Sequence, residues 1–557
     1  MDFATNDRGE PPPVFAPSEP ARAGVSLPRS LCESAVCLLL AVVLFRTFAA
    51  EGYMISTGSM APHLLGYHKR VCCPTCQYEF PFGVAYDTDE GAIAAESAPT
   101  RSRAVCPNCG QGAIDLRAVP RNHGDQLLVF KPAYGLRPPR RWEVVVFRNP
   151  YCPTEAYVKR VVALPGEKVQ IIDGDIYADG VLCRKDWTEQ RVLRLPVHAH
   201  QFRARDTEPA WQPLKTSGES AVAWEPVGDE FLLNAADNTG DDAWGWVEFA
   251  HRVRQRGQHE TTVKLSSWPV DLDTSKIPPA GLKFDAVHQQ LSCIGVLPDS
   301  ARDLLLAANA DDDFYKAVRT LSERSQLAPV DDDYGYNPRE GDYVPAPVRD
   351  VMLALTLQHQ EGEGEFAVEM SDGAVNFTCV FDYGRQETRL YAGDESDPVI
   401  TGGWPGELLT GSPTIEMSLF DQQVLVAVNG KPLLGPWTFS TPAETPVSRY
   451  PARFGARGLH ATVSELQLYR DVYYTATRAR HGVQKPYQLD ADELFVLGDN
   501  SPVSHDSRRW PDGAVKTSLL VGKPFVVHLP SKPGRLRVGN YEMQLRLPDF
   551  SRMQFLR

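Results

Sequence analysis

At 557 residues the chain is longer than one hydrophobic core usually supports, so two to four modules are expected. A formal charge of −14 and the lack of any long Lys/Arg run exclude a nucleic-acid partner, because phosphate binding needs a clustered basic surface. With 43% hydrophobic and 23% charged residues most of the chain is folded in water, and eleven cysteines, an odd number, exclude a complete disulfide framework.

Residues 1–30 are rich in Pro, Ala and Arg without apolar periodicity and read as a flexible tail. Residues 31–50, LCESAVCLLLAVVLFRTFAA, carry only Glu33 and Arg46 as charges and match the length of one transmembrane helix. A cleaved export signal ending near Thr47–Ala49 and an amphipathic core helix are the alternatives. The basic residues Arg22 and Arg29 point to an inside N-terminus.

The run Ile55-Ser56-Thr57-Gly58-Ser59-Met60-Ala61-Pro62 follows, a hydroxyl-rich turn that taken alone is structural more often than catalytic. Next come Cys73-Pro74-Thr75-Cys76 and Cys106-Pro107-Asn108-Cys109-Gly110, two tight knuckles that each aim two thiolates at one ion. Four thiolates close a tetrahedral Zn2+ site and leave no position for water, so the expected zinc ribbon is structural. Cys72 can replace Cys73, and disulfides or a redox pair are the alternative. Cys32, Cys37, Cys152, Cys183, Cys293 and Cys379 read as isolated thiols. In Glu155-Ala156-Tyr157-Val158-Lys159-Arg160-Val161-Val162-Ala163-Leu164-Pro165-Gly166 a lysine interrupts a β-branched strand that ends in a Pro-Gly turn.

A long insertion runs from about Arg184 to Gln484. Its alternating runs predict strands over 351–358, 365–370, 375–381, 387–391, 415–420, 424–428 and 462–469, with an Asn429-Gly430 hairpin turn. Strands over 231–234, 246–251 and 261–265 are candidates for the same β-sandwich, which is similar to concanavalin-like jelly rolls. Residues 300–325 read as a helical excursion capped by Asp299 or Ser300, and the acidic run Asp311–Asp313 lacks the spacing of a calcium loop. The polar loop Leu497-Gly498-Asp499-Asn500-Ser501-Pro502-Val503-Ser504-His505-Asp506-Ser507-Arg508-Arg509-Trp510 comes last.

The Ser59, Lys159 and 497–510 segments, in this order behind an apolar span, resemble the characteristic boxes of the bacterial type I signal peptidase family. The resemblance takes in Gly124–Lys131, Trp142–Phe147 and Val521–Phe525, covers roughly 31–70, 121–185 and 485–530, and looks like the enlarged form of planctomycete-type bacteria. It implies a serine endopeptidase in which Ser59 is the nucleophile and Lys159 the general base, with no cofactor for catalysis. It further implies an oxyanion hole made by the Ser59 N–H and the Thr57 hydroxyl, Ser504 hydrogen-bonded to Lys159, and Asp506 and Arg508 as a structural ion pair. A lysine acts as a base only when neutral, and burial beside Val158, Val161 and Val162 favours that form. Ser56, His63 and Ser501-Pro502 stand where the family commonly has proline, threonine and Arg-Asp. His123 or His505 as the base of a Ser-His-Asp triad is the catalytic alternative, without a nucleophile elbow to support it.

The expected fold is mainly β: a tail (1–30), a transmembrane anchor (31–50), a signal-peptidase-type β core in three parts (51–70, 121–185, 481–557), an inserted zinc ribbon (71–120) and an inserted sandwich (186–480). The expected activity is removal of signal peptides from exported preproteins at a bacterial cytoplasmic membrane, by a single-pass protein whose catalytic part lies outside. Expected partners are preproteins, membrane lipid and, at the sandwich, carbohydrate or protein. A self-cleaving repressor lacks support, since no DNA-binding helix pair is present. A surface binding protein built on the sandwich and the ribbon, metal ligands Cys73, Cys76, Cys106 and Cys109, is the reading from another class.

Overall fold

The computed structural model describes residues 27–84, 103–203, 213–217, 224–234, 243–252, 260–269, 281–308, 311–338, 345–528, 530–538 and 541–556. The tail expected over 1–30 therefore lies almost wholly outside the described residues. Leu27–Leu44 is an α-helix that runs on into the turn Phe45–Ala49, and Pro28–Ala49 is long and apolar enough to cross a membrane, at about 33 Å for 22 residues. None of it is buried. Residues 52–557 make a second compact unit.

A mainly antiparallel sheet, all but the first two residues of which lie in that unit, has the order Ala50–Met54, Gln126–Phe130, Leu520–Val527, Val144–Arg148, Ala156–Ala163, Glu493–Leu497, Val515–Lys516. Val145 pairs with Lys159 across adjacent strands, and a segment far away in sequence then joins them, Val496 pairing with Val161. The β-branched runs supply the central strands because both faces are covered, one by the cluster of Met60, Leu64, Val129 and Val146, another by that of Phe147, Val161, Val496 and Trp510.

The insertion forms two facing sheets. One contains Val351–Glu361 between His460–Arg470 and Thr414–Ser418; the other contains Glu365–Ser371 between Ala452–Arg457 and Asn376–Asp382. Period-2 alternation sends Leu353, Leu355, Leu357, Val463 and Leu468 from the first and Phe366, Val368, Phe377, Phe381 and Phe454 from the second into one core, as a sandwich requires. At the Asn429-Gly430 turn φ is 50° and 72°, the left-handed pair that matches hairpin twist. The strands predicted over 231–234 and 246–251 join these sheets. The strand Glu260–Lys264 does not: it pairs with Gln290–Ile294 in a separate three-stranded sheet.

The predicted helical excursion is two helices, Asp299–Ala308 and Asp312–Ser325, packed through Leu305, Phe314, Val318 and Leu321 against that small sheet. Asp311 caps the second by accepting from Asp313 N and Phe314 N, which accounts for the acidic run without an ion.

The insertion is tied to the core by a buried lysine. Lys185 Nζ lies 2.5 Å from Asp421 and 2.8 Å from Asp471, with the Trp142 ring 4.5 Å away. Its burial opposes the charge, but the two carboxylates win and hold its pKa above the ordinary lysine value.

Candidate active site

Ser59 sits in a turn that follows the strand Ala50–Met54, and a buried aspartate closes the segment. Asp125 O accepts from Ile55 N, Asp125 N donates to Leu65 O, and Asp125 Oδ2 accepts from Leu65 N and Arg552. Two glycines are dictated by proximity. A Cβ on Gly124 would lie 1.8 Å from Ile55 O, and one on Gly66 2.4 Å from the Thr57 carbonyl carbon. The Gly124-Asp125 pair thus shapes the Ser59 segment from about 65 residues away, a part the sequence reading did not give it.

Lys159 projects from the strand Ala156–Ala163. Its Nζ is 2.7 Å from Ser59 Oγ and 3.3 Å from Val158 O, and the residue is 4% exposed. Burial lowers its pKa to about 8, against the raising effect of the Asp506 and Asp499 carboxylates and helped by Arg508. The three flanking valines do not all line this setting. Val158 packs with Leu127 and Val129, Val161 with Phe147 and Trp510, and Val162 with Leu65 and Phe495; alternation separates Val161 from Val162, and the length of the strand carries Val158 and Val162 to different clusters.

The loop 497–510 closes over both residues. Asn500 N donates to Ser59 O (3.0 Å). A Cβ on Gly498 would meet Ser59 O at 2.4 Å and Ser504 Oγ at 2.3 Å, so only glycine fits between them. Ser504 is fully buried beside Gly498, where its hydroxyl faces the Asp506 carboxylate and helps to lower that group's pKa; the bond to Lys159 implied by the family resemblance is not formed. Asp506 and Arg508 are a buried ion pair at 2.8 Å, and Asp506 also accepts from Gly498 N. Thr57 is exposed, two residues before Ser59.

A second buried pair was not foreseen. Arg160 grips Asp499 through Nε (2.7 Å) and Nη2 (2.6 Å), while His63 Nδ1 donates to the same carboxylate at 2.8 Å. These contacts hold Asp499 well below the ordinary carboxylate range despite its burial. His63 and Ser501, noted above only as departures, therefore have partners: Ser501 Oγ accepts from Arg508 Nη1 and Thr475 N, both at 2.7 Å. His505 Nδ1 accepts from Trp510 Nε1, and the His123 ring packs on Tyr67; the partner of Ser59 Oγ is Lys159.

The cysteine knuckles converge. Sγ of Cys73 and Cys109 are 3.7 Å apart, those of Cys76 and Cys106 3.6 Å, and all four lie within 4.8 Å of one another. Cys72 is exposed and outside the group, which decides between it and Cys73.

Residues 120–242 and 414–529 match the signal peptidase family, peptidase S26. Over these two stretches, under half of its length, the chain is similar to that family. The S26 match includes Lys159, Asp499, Ser504, Asp506 and Arg508, while Ser59 precedes it. A signal peptidase I of Leptolyngbya laminosa is 41% identical over 155 residues, 26% of this chain and 62% of that protein. A probable signal peptidase I-1 of Synechocystis sp. is 39% identical over 64 residues, 10% of this chain and 33% of its own. The chain thus spans less than two thirds of the length of these S26 relatives. Among solved structures, a Bacillus subtilis protein of unknown function with a galectin-like fold aligns over 22% of this chain and 71% of its own, at 11% identity and a TM-score of 0.18.

Proposed function

We propose that this chain is a membrane-bound endopeptidase that removes N-terminal signal peptides from exported preproteins, with Ser59 as nucleophile and Lys159 as general base. The observation that carries the reading is the 2.7 Å approach of Ser59 Oγ to the amine of a buried lysine whose pKa is lowered to about 8. At that value a useful fraction of Lys159 is neutral near pH 8 and can take the serine proton as Oγ attacks the scissile carbonyl. Charge then develops on the carbonyl oxygen, where the Ser59 N–H and the Thr57 hydroxyl are the donors; one such donor is typically worth about 3 kcal/mol. Protonated Lys159 returns the proton to the leaving amine, and a water activated by the same amine releases the acyl group. Ser504, Asp506 and Arg508 support the loop that covers the lysine. The apolar segment Pro28–Ala49 serves as the single-pass anchor in a cytoplasmic membrane, with lipid around it and the catalytic unit on the outer face.

Cleavage of a preprotein with an Ala-x-Ala site by the detergent-solubilised full chain tests this. The parent chain is expected to cut and Ser59→Ala to be inactive; equal cleavage by both, or none by either, would remove the proposal and favour a surface binding protein.

For the cysteine knuckles we assign a structural zinc. Tetrahedral Zn–S bonds of about 2.3 Å place sulfurs about 3.8 Å apart, and the observed pairs at 3.6 and 3.7 Å fit that edge rather than an S–S bond of about 2.05 Å. Elemental analysis is expected to find about one zinc per chain, lost in Cys76→Ser and Cys109→Ser. A metal-free domain with two disulfides would refute the assignment.

A further inference from the structure

Residues 330–338, Val-Asp-Asp-Asp-Tyr-Gly-Tyr-Asn-Pro, belong in chain order to the insertion, but they pack against the Ser59 turn. Tyr334 and Tyr336 are buried in one cluster with Ala61, Leu65 and Leu497. Tyr334 OH donates to Asp499 O (2.7 Å), Tyr336 OH to Tyr67 O (3.2 Å), and Gly83 N to Tyr336 O (2.7 Å). The Tyr336 ring lies so close over Gly58 that a Cβ there would stand 2.3 Å from Cε1. Asn337 then meets Asn500 amide to amide: Asn337 Nδ2 donates to Asn500 Oδ1 at 2.8 Å, and Asn500 Nδ2 donates back to Asn337 Oδ1 at 2.7 Å.

The second hydrogen of Asn500 Nδ2 goes to Gly58 O, at 2.9 Å. That carbonyl shares a peptide plane with the Ser59 N–H. In a planar trans peptide the C=O and N–H point in opposite directions, so whatever holds Gly58 O also aims Ser59 N–H. Ala61 N binds the same carbonyl at 3.1 Å, and Asn500 N holds Ser59 O on the other side. An isolated Asn500 amide can turn about its last side-chain bond; paired with Asn337 through two reciprocal hydrogen bonds it has one orientation left.

We infer that Asn337, supplied by the insertion, is a positioning residue: through Asn500 it orients the Gly58–Ser59 peptide so that the Ser59 N–H faces the forming oxyanion. This rests on Ser59 being the nucleophile. It also gives the insertion a part in catalysis, since the amide that fixes the donor comes from residues 186–480. The donor matters most when charge has developed, so the effect falls on kcat rather than on KM.

The test is steady-state cleavage of an Ala-x-Ala preprotein by the full chain in detergent, comparing Asn337→Ala, Asn500→Ala, the double variant and Ser59→Ala. Asn337→Ala is expected to lower kcat roughly tenfold to a hundredfold, within the cost of losing an oxyanion donor, with KM within about twofold. Because it acts through Asn500, the double variant is expected to be no slower than Asn500→Ala alone. Leu305→Ala, in the separate helical cluster, controls for stability: it is expected to lower the melting temperature and leave kcat unchanged. If Asn337→Ala does not fold, the near-isosteric Asn337→Leu takes its place with the same expectation. Parental kcat in the folded Asn337 variant, or losses that multiply in the double variant, would overturn the inference while leaving the Ser59 reading intact. Cleavage by Ser59→Ala would overturn both.

Discussion

Lys159→Met is expected to abolish preprotein cleavage and at the same time to stabilise the fold. The first half follows from the 2.7 Å contact with Ser59 Oγ: methionine fills the space but has no lone pair basic enough to take the serine proton. The second half follows from linkage. In the unfolded chain the amine has its ordinary pKa of 10.5; in the folded chain burial lowers it to about 8. A basic group whose pKa falls on folding costs stability at every pH below its folded pKa, and the cost fades only as pH rises from about 8 towards 10.5. For this shift the burden near pH 7 is about 3 kcal/mol, which the uncharged methionine side chain would not carry. Differential scanning calorimetry at pH 7 should therefore show a higher melting temperature for the inactive variant, and the advantage should shrink towards pH 10. For the parent chain the same pKa sets the activity profile: kcat/KM should rise with pH through about 8 as Lys159 loses its proton. Residual cleavage by Lys159→Met, or a profile flat between pH 7 and 9, would argue against the lysine as base.

The other large effect is expected at Arg508. All five guanidinium hydrogens have acceptors: Asp506 Oδ1 and Oδ2, Ser501 O, Ser501 Oγ and Thr475 O, at 2.7–3.0 Å. Arg508→Met would leave the Asp506 carboxylate buried without its cation, a change that typically costs about 3–5 kcal/mol. Lysine would restore the charge but not the planar fork, so Arg508→Lys should recover only part of the loss. In the parent the pair holds Asp506 below its ordinary pKa, so its contribution is complete at neutral pH and is lost only in acid. In the variant, burial would raise the Asp506 pKa, so the melting-temperature gap between variant and parent should be widest near pH 7 and narrow towards pH 5. A gap independent of pH would mean that packing, not the carboxylate, accounts for the loss. The loop also carries Gly498 and Asn500 against Ser59, so activity is expected to fall with stability.

Much of the candidate site is legible in short stretches. The Thr57-Gly58-Ser59 turn, Lys159 within a valine-rich strand, and the Gly-Asp-Asn loop are each local patterns, and local patterns survive without the fold. The same holds for the sandwich strands 351–358 and 365–370, whose period-2 alternation marks the residues turned to the sandwich core, and for the Asn429-Gly430 turn, whose backbone demands those residues. The knuckle spacing likewise announces four converging sulfurs.

What no stretch could reveal is who meets whom. Lys159 is dry because the loop 497–510 and the neighbouring strands close over it, and its flanking valines turn to three different clusters. His63 and Ser501 look like losses until Asp499 and Arg508 stand beside them. The stretch 261–265 announces a strand, yet pairing sends it to a small sheet of its own, because alternation specifies a buried face and not a partner strand. Asn337 is an unremarked residue deep in the insertion, 163 positions from the asparagine it clamps. Composition, periodicity and motif spacing act over a few residues, and they determined the elements and the chemistry on offer. The pKa of the lysine, the second ion pair and the amide that aims the Ser59 N–H depend on contacts between segments a hundred or more residues apart, and those exist only once the sheets have closed.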